Sequence, residues 1–290
     1  MVLIAIAAPL VAPHSPVEAS LPDKLKPPFW QEGGSTQYLL GSDRLGRDIL
    51  SRIIWGARVA LSISIAGILV GGLIGTILGI VAGYLGRWVD GIIMSIADLS
   101  LALPVILLAL VLAIVLGPSL LNVILIISAL IWARYARQVR GEVLSIRERD
   151  FVRLAQIAGC STPRIILLHI FPNVVNSLIV LATLQVGWLI LMEGSLSFLG
   201  VGVPPPDPSW GSMVADGREL IAAAWWISTL PGLAMLLTVL AMNTLGDWLR
   251  DALDPKLSQS ERAAASERAA RRDEAENELR PAEAAGSAAD

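Results

Sequence analysis

Four polar side chains stand inside long apolar stretches and are the first candidates for chemistry: Asp98, Gln185, Glu193 and Asn243. Polar groups are costly at membrane depth, and they often mark the pathway of an ion or a solute. Two of the four are carboxylates, which can take up and release protons. A simpler interpretation is that Asp98 and Glu193 lie near the membrane interfaces and pair locally. The sequence leaves both interpretations open.

The residue types present give little support to a metal site or to a nucleophilic active site. The chain has one cysteine, Cys160, and two histidines, His14 and His169. These are too few for a thiolate cluster or a histidine-based metal site. The sequence shows no set of nucleophile, base and orienting group, so a membrane-embedded hydrolase is the least favoured class. We expect neither a cofactor nor a catalytic residue.

The composition points to a lipid bilayer as the surrounding solvent. Of 290 residues, 54% are hydrophobic and 16% are charged, with a mean hydropathy of +0.66, whereas soluble domains carry about 25% charged residues. The net charge of -3 resides in residues 257–290, so the remaining chain has no basic surplus that would suggest nucleic acid. Residues 257–290 lack an apolar stripe and are predicted to be a solvated cytoplasmic tail.

Apolar stretches of about 20 residues cross the hydrocarbon layer as helices. The chain has five of them, at residues 60–85, 91–116, 119–139, 174–196 and 228–247. Residues 1–12 supply a short or truncated first helix. The sequence therefore predicts an all-α integral membrane protein of about six transmembrane helices. It has an outer loop with an amphipathic segment at 13–59, a core at 60–256 and a second outer loop at 197–227.

Basic residues set the predicted orientation. Seven arginines lie between Arg134 and Arg164, and membrane proteins concentrate Lys and Arg in cytoplasmic loops. That segment is predicted to be cytoplasmic. Arg250 and Lys256 follow the last span and predict a cytoplasmic C-terminus, and the even number of crossings then predicts a cytoplasmic N-terminus. The outer loop at 13–59 dissents, since it holds six basic residues of its own: Lys24, Lys26, Arg44, Arg47, Arg52 and Arg58.

The first long span contains five glycines spaced four residues apart: Gly67, Gly71, Gly75, Gly79 and Gly83. Residues four apart lie on one face of a helix, so this face carries no side chains. Another helix backbone can approach such a face closely. We predict a helix-packing surface, and a surface that slides during transport is the less favoured alternative, compatible with packing.

A helix, a turn and a second helix are predicted at residues 150–173. Gly159 permits a left-handed turn, and Ser161 or Thr162 can cap the second helix. Pro172 is expected to begin the next span. A short amphipathic pair of this kind either rests on lipid or inserts into a groove of a soluble partner.

Four segments in order carry a family resemblance: LLGSDRLGRDILSRIIWGARVAL at 39–61, the loop at 140–173, GSLSFLGVGVPPPDPSWG at 194–211 and LGDWLRDALDP at 245–255. Over residues 38–256 the chain resembles the permease subunits of ABC importers, specifically the C-type subunit of the oligopeptide/dipeptide/nickel group. The resemblance implies a location in the bacterial inner membrane.

The cytoplasmic signature of that family reads Glu-Ala-Ala, three residues, Gly, nine residues, an apolar residue, one residue, and Leu-Pro. The corresponding residues here are Arg153, Leu154, Ala155, Gly159, His169, Phe171 and Pro172. The framework matches, but the opening glutamate and the first alanine are absent. A contact that requires a carboxylate at position 153 is therefore not expected.

The resemblance implies a heteromeric importer, most commonly of peptides. A homologous permease would complete the pore, two ATP-binding cassette subunits would bind below it, and an extracytoplasmic binding protein would deliver the substrate. Residues 153–169 would form the coupling helix. The expected contacts with the ATPase are Arg153, Leu154, Ala155, Gly159, Cys160, Ser161, Arg164, His169 and Pro172.

The source of energy separates two hypotheses. The chain has no G-x-x-x-x-G-K-[ST] sequence, so ATP hydrolysis would come from the partner subunits. The alternative is an ion- or proton-driven carrier in which Asp98 and Glu193 are protonated during transport.

Overall fold

The computed structural model describes residues 1–253, which are mainly helical, with an isolated β-bridge between Ser42 and Asp48. The main helices in chain order are α1 (Val2–Val11), α2 (Ile49–Leu85), α3 (Arg87–Ala102), α4 (Val105–Leu116), α5 (Leu120–Arg147), α6 (Asp150–Ile157), α7 (Thr162–Phe198), α8 (Trp210–Gly217) and α9 (Trp226–Leu253). Residues 1–246 form one compact unit, and the last seven residues of α9 belong to a second. The predicted tail at 257–290 lies outside the described residues.

Within residues 1–253, four helices are long and apolar enough to cross a membrane: α2, α5, α7 and α9. Helices α3 and α4 supply a fifth crossing if they count as one span, but they meet at 94°. Pro104 lies at this break, where it lacks an amide proton and forces Leu103 into an extended conformation. The predicted span 91–116 is therefore two helices that meet at Pro104. Helix α1 is short, with 10 residues.

Helix α2 begins ten residues before the end of the predicted outer loop 13–59. Asp48 caps it, because its carboxylate accepts a hydrogen bond from the Ser51 amide at 2.9 Å and from the Ser51 hydroxyl at 2.6 Å. Arg52 and Arg58 lower the hydropathy of the first turns, which is why the apolar pattern alone placed the start too late.

Helix α7 is also longer than the predicted span 174–196, and Pro172 does not begin it. The chain is helical from Thr162 onward and passes through a π-helical turn at Ile166–Ile170. In that turn the Phe171 amide donates to the Ile166 carbonyl, five residues back. The wider turn directly precedes Pro172, which has no amide proton to donate, so the helix continues without a break.

The glycine face of α2 packs against α5. A Cβ added at Gly71 or Gly79 would come within 2.6 Å of a main-chain carbonyl oxygen of α5, and one at Gly75 would overlap the Trp132 carbonyl oxygen. At the two ends of the face, a Cβ added at Gly67 or Gly83 would meet side chains of α5. The two backbones therefore touch, which maximises van der Waals contact where lipid gives no hydrophobic drive.

Most of the basic side chains in the predicted outer loop at 13–59 have a carboxylate nearby. Four of its six cations have a carboxylate nearby: Lys26 with Asp23 at 2.5 Å, Arg44 with Glu219 at 3.2 Å, Arg47 with Asp43 at 2.6 Å, and Arg52 with Asp43 at 3.7 Å. The hydrogen bond from Lys26 lowers the pKa of the Asp23 carboxyl to about 2. The net positive charge of this loop is therefore smaller than its count of basic residues.

Gly75→Ala tests the contact between α2 and α5. The new methyl group would overlap main-chain atoms of α5, and we expect a destabilisation of about 1–3 kcal/mol and a lower thermal unfolding midpoint of the purified protein. Gly91→Ala on α3 is the matched control, because its Cβ would meet nothing within 4 Å. Equal midpoints for the two variants would contradict main-chain contact at Gly75.

Candidate functional site

Helix α6 has two apolar faces, of which one is buried. Val152 and Ala155 lie in an apolar cluster with side chains of α2, α5 and α7. On the other side, the Leu154 side chain is 64% exposed and that of Ile157 is 83% exposed. An apolar surface outside the membrane spans, held on a firmly docked helix, is typical of a site that receives a partner protein.

The end of α6 has the hydrogen-bonding pattern of a Schellman motif. The Gly159 amide donates to the Gln156 carbonyl at 3.0 Å, and the Cys160 amide donates to the Ala155 carbonyl at 3.0 Å. Gly159 has a φ of +76°, so the predicted left-handed turn is present. A Cβ there would meet nothing within 4 Å. Glycine is therefore favoured by backbone conformation and not by lack of space.

The predicted ATPase contacts are distributed over this surface. The exposed ones are Arg153, Leu154, Gly159, Ser161, Arg164 and Pro172. Ala155 is buried, whereas Cys160 and His169 are partly buried. The His169 ring lies 6.3 Å from the Phe151 ring between centroids, which links α7 to the start of α6. Ser161 precedes α7 without a capping hydrogen bond from its side chain, so the predicted side-chain cap is absent.

Arg153 points back toward α5, where it forms an ion pair. Its guanidinium donates to Glu148 at 2.7 Å, and Arg147 donates to the same carboxylate at 3.3 Å. The hydrogen bond from Arg153 holds the pKa of the Glu148 carboxyl below its usual value, and the same bond raises the pKa of Arg153. Arg153, one of the residues that depart from the family signature, thus links the end of α5 to α6.

One of the four polar pathway candidates lines a cavity, and a second pairs with a residue that lines it. Gln185 of α7 is buried and lines an open cavity of about 750 Å³ between α5 and α7. Asp98 of α3 is exposed and accepts a hydrogen bond from Arg137, whose side chain lines the same cavity. Asp98 therefore pairs locally, as the simpler interpretation of the sequence predicted.

Glu193 and Asn243 are not among the residues that line this cavity. Glu193 is 1% exposed, and it accepts hydrogen bonds from the Ser197 hydroxyl at 2.6 Å and the Ser209 hydroxyl at 2.7 Å. These bonds tie the end of α7 to the residue that precedes α8, and they satisfy a buried carboxyl group. Asn243 is exposed on α9, with its Oδ1 3.0 Å from where a Cβ of Gly187 would lie.

The sequence predictions omit a polar face of α5 that lines the cavity: Arg134, Arg137, Gln138, Glu142 and Ser145. The arginines served only to indicate orientation. Their spacing did contain a signal, because polar residues that recur every three or four positions lie on one helix face. A polar face on a membrane-spanning helix points to a partner or to a water-filled cavity.

Comparison with known proteins identifies the family. Residues 75–259 match the family model described as the binding-protein-dependent transport system inner membrane component. The chain belongs to this family. The permease is 48% identical over 259 residues to the dipeptide transport system permease protein DppC of Escherichia coli strain K12, covering 89% of this chain and 86% of that one.

A second relative and a solved structure agree with this assignment. The permease is 44% identical over 260 residues to the di/tripeptide transport system permease protein DppC of Pseudomonas aeruginosa strain UCBPP-PA14, covering 90% of this chain and 86% of that one. It is similar in fold to the MetNI methionine ABC transporter, with a TM-score of 0.56 at 16% identity over 70% of this chain and 96% of that one.

These findings confirm the family resemblance and the predicted fold class. The permease is a helical, multi-pass membrane protein of the ABC importer type. Its family comprises membrane components of transport systems, and the comparisons give no support to an ion-driven carrier.

Two substitutions at Gly159 test the conformational requirement at the end of α6. A left-handed conformation costs an ordinary L-residue roughly 1–2 kcal/mol, whereas asparagine adopts it more readily. We expect Gly159→Val to open the last turn of α6 and to speed amide hydrogen exchange at Gly159 and Cys160. Gly159→Asn should exchange nearly as slowly as the unmodified protein. Slow exchange in both variants would show that the turn does not depend on glycine.

Proposed function

We propose that this chain is a pore-forming subunit of an ATP-driven importer of di- or oligopeptides. In this proposal α6 is the contact through which ATPase subunits drive alternating access. The observation that carries it is the two-faced character of α6, with Val152 and Ala155 buried in the permease and Leu154 and Ile157 exposed. The peptide substrate class rests on the relatives, which are named as dipeptide and di/tripeptide transport permeases.

The packing around α6 supports a mechanical coupling. The buried residues of α6 belong to one apolar cluster with side chains of α2, α5 and α7. The contact between α2 and α5 continues along the glycine face, so these helices move together. Arg147 adds a further tie, because it donates to the Gly83 carbonyl at 3.0 Å at the end of α2. A force applied to the exposed side of α6 is therefore transmitted to three membrane-spanning helices.

The unbroken helix α7 extends the reach of that force. It begins at Thr162, shortly after the Gly159 turn, and continues to Phe198. Closure of ATPase subunits around α6 would shift the start of α7 and tilt the same helix at its other end. Because packed helices exchange between discrete arrangements, such a tilt can move the opening of the cavity from one side to the other.

The partners and the orientation follow from the same proposal. A homologous permease, two ATP-binding cassette subunits and an extracytoplasmic binding protein complete the importer in the inner membrane. The seven arginines between Arg134 and Arg164 support a cytoplasmic location of α6 and of both termini.

The environments of the two carboxylates favour ATP-driven transport over a proton-driven carrier. Asp98 forms an ion pair with Arg137. Glu193 is fixed by Ser197 and Ser209 in a position closed to solvent. Neither group combines the accessibility and the freedom that a proton carrier needs.

Uptake in proteoliposomes separates the two mechanisms. We expect the complete complex with its binding protein to accumulate radiolabelled dialanine only when ATP is supplied on the α6 side. A protonophore should leave the initial rate within about twofold. Uptake that persists without the ATPase subunits, or that collapses with the proton gradient, would reject the proposed function.

Cys160 offers a direct test of the contact with the ATPase. It is the chain's one cysteine and is partly buried beside α6, so a benzophenone-maleimide label attaches at one place. Irradiation of the labelled complex should join the permease to an ATP-binding cassette subunit, with a yield that changes on addition of ATP. Cys160→Ser is the control and should give no adduct. Adducts with lipid alone would contradict the docking of α6 on an ATPase.

A further inference from the structure

Helix α5 presents two different faces to its surroundings. One face packs on the glycines of α2, and a second face lies open on the cavity of about 750 Å³. This volume is within the range of sites that bind small molecules. The open face carries Arg134, Arg137, Gln138 and Glu142, and α7 contributes Gln185 from across the cavity.

Two of the charged side chains in the cavity are left without an opposite charge. Arg137 is neutralised by Asp98. The ion pairs formed within residues 1–253 include neither Arg134 nor Glu142. Charged groups within membrane-spanning helices usually pair or serve a transported species. An ion pair accounts for the charges of Asp98 and Arg137, but no ion pair within the described residues accounts for those of Arg134 and Glu142.

Neighbouring side chains hold both charged groups in place. The Arg134 guanidinium lies 4.2 Å from the centre of the Trp188 ring, close enough for a cation–π interaction. Glu142 accepts a hydrogen bond from the Gln138 amide at 3.0 Å. A fixed guanidinium is suited to a carboxylate, and a fixed carboxylate is suited to an ammonium group.

The separation of the two groups matches a short peptide. Arg134 and Glu142 are eight positions apart on α5, which corresponds to about 12 Å along the helix axis. An extended tripeptide spans roughly 10 Å, and flexible side chains cover the difference. Gln185, 7% exposed on the facing helix, offers an amide to the peptide main chain.

We infer that this cavity binds a short zwitterionic peptide in one direction, with its α-carboxylate at Arg134 and its α-ammonium group at Glu142. The inference rests on the proposed peptide import and adds the chemical groups that the permease itself recognises. Both termini must be free for full binding, which favours unmodified di- and tripeptides over capped peptides and over sugar conjugates.

Three probes test this inference on the complex of both permeases and both ATPase subunits in nanodiscs without ATP. They are trialanine, its C-terminal amide and its N-acetyl derivative. We expect the unmodified complex to bind trialanine roughly tenfold or more tightly than either capped peptide, as for the loss of a charge-assisted hydrogen bond. Arg134→Gln should abolish the preference over the amide only. Glu142→Gln should abolish the preference over the N-acetyl peptide only.

Arg58→Gln is the matched control. Arg58 also stacks on a tryptophan, with its guanidinium 5.4 Å from the Trp55 ring centre, but it does not line the cavity. The Arg58→Gln variant should still bind trialanine more tightly than its amide and more tightly than its N-acetyl derivative. Repeating the measurements with and without anionic lipid distinguishes a peptide carboxylate from a lipid phosphate as the partner of Arg134.

Several outcomes would overturn the inference while peptide import stands. One is an equal loss of affinity for all three probes in the Arg134 or Glu142 variant. Others are an Arg134 effect that follows the lipid instead of the peptide terminus, and no binding of trialanine by a complex that imports it. If the complete importer transports neither dialanine nor trialanine with ATP, the proposed function itself fails.

Discussion

Close contact between the backbones of α2 and α5 is the constraint on which the rest of this permease depends. Lipid chains are as apolar as leucine, so two helices in a membrane gain little by hiding apolar side chains from it. The glycines of α2 replace that missing drive with a long contact of main chain on main chain. Every other feature of α5 follows from having one face committed to this contact.

The committed face fixes the direction of the free one. Because α5 cannot rotate without driving carbonyl oxygens into α2, its polar side chains are held toward the cavity shared with α7. The same rigidity makes α6 effective as a lever, since its buried residues rest on the ends of α2 and α5 together. Substrate recognition and energy coupling are thus two consequences of one packing surface in our proposal.

Charge in this protein is handled in three ways that differ with location. Outside the spans, Lys26, Arg44 and Arg47 pair with nearby acids. At the buried end of α7, Glu193 is satisfied by two hydroxyls. In the cavity, Arg134 and Glu142 have no opposite charge among the described residues. Charged side chains without an opposite charge cost the most free energy of the three arrangements, and such charges usually mark a functional site.

The sequence by itself determined the helical membrane fold, the spacing of the α2 glycines and the left-handed turn at Gly159. These are local properties, set by hydropathy, by the 3.6-residue period and by the backbone freedom of glycine. It could not determine that α7 runs through Pro172, because a π-helical turn is a product of packing. Only the tertiary structure showed that Gln185 lines the cavity and that Glu193 does not. It also showed that Arg134 of α5 lies over the Trp188 ring of α7. Which polar residues share a cavity depends on how helices face one another, and hydropathy along one chain carries no record of that.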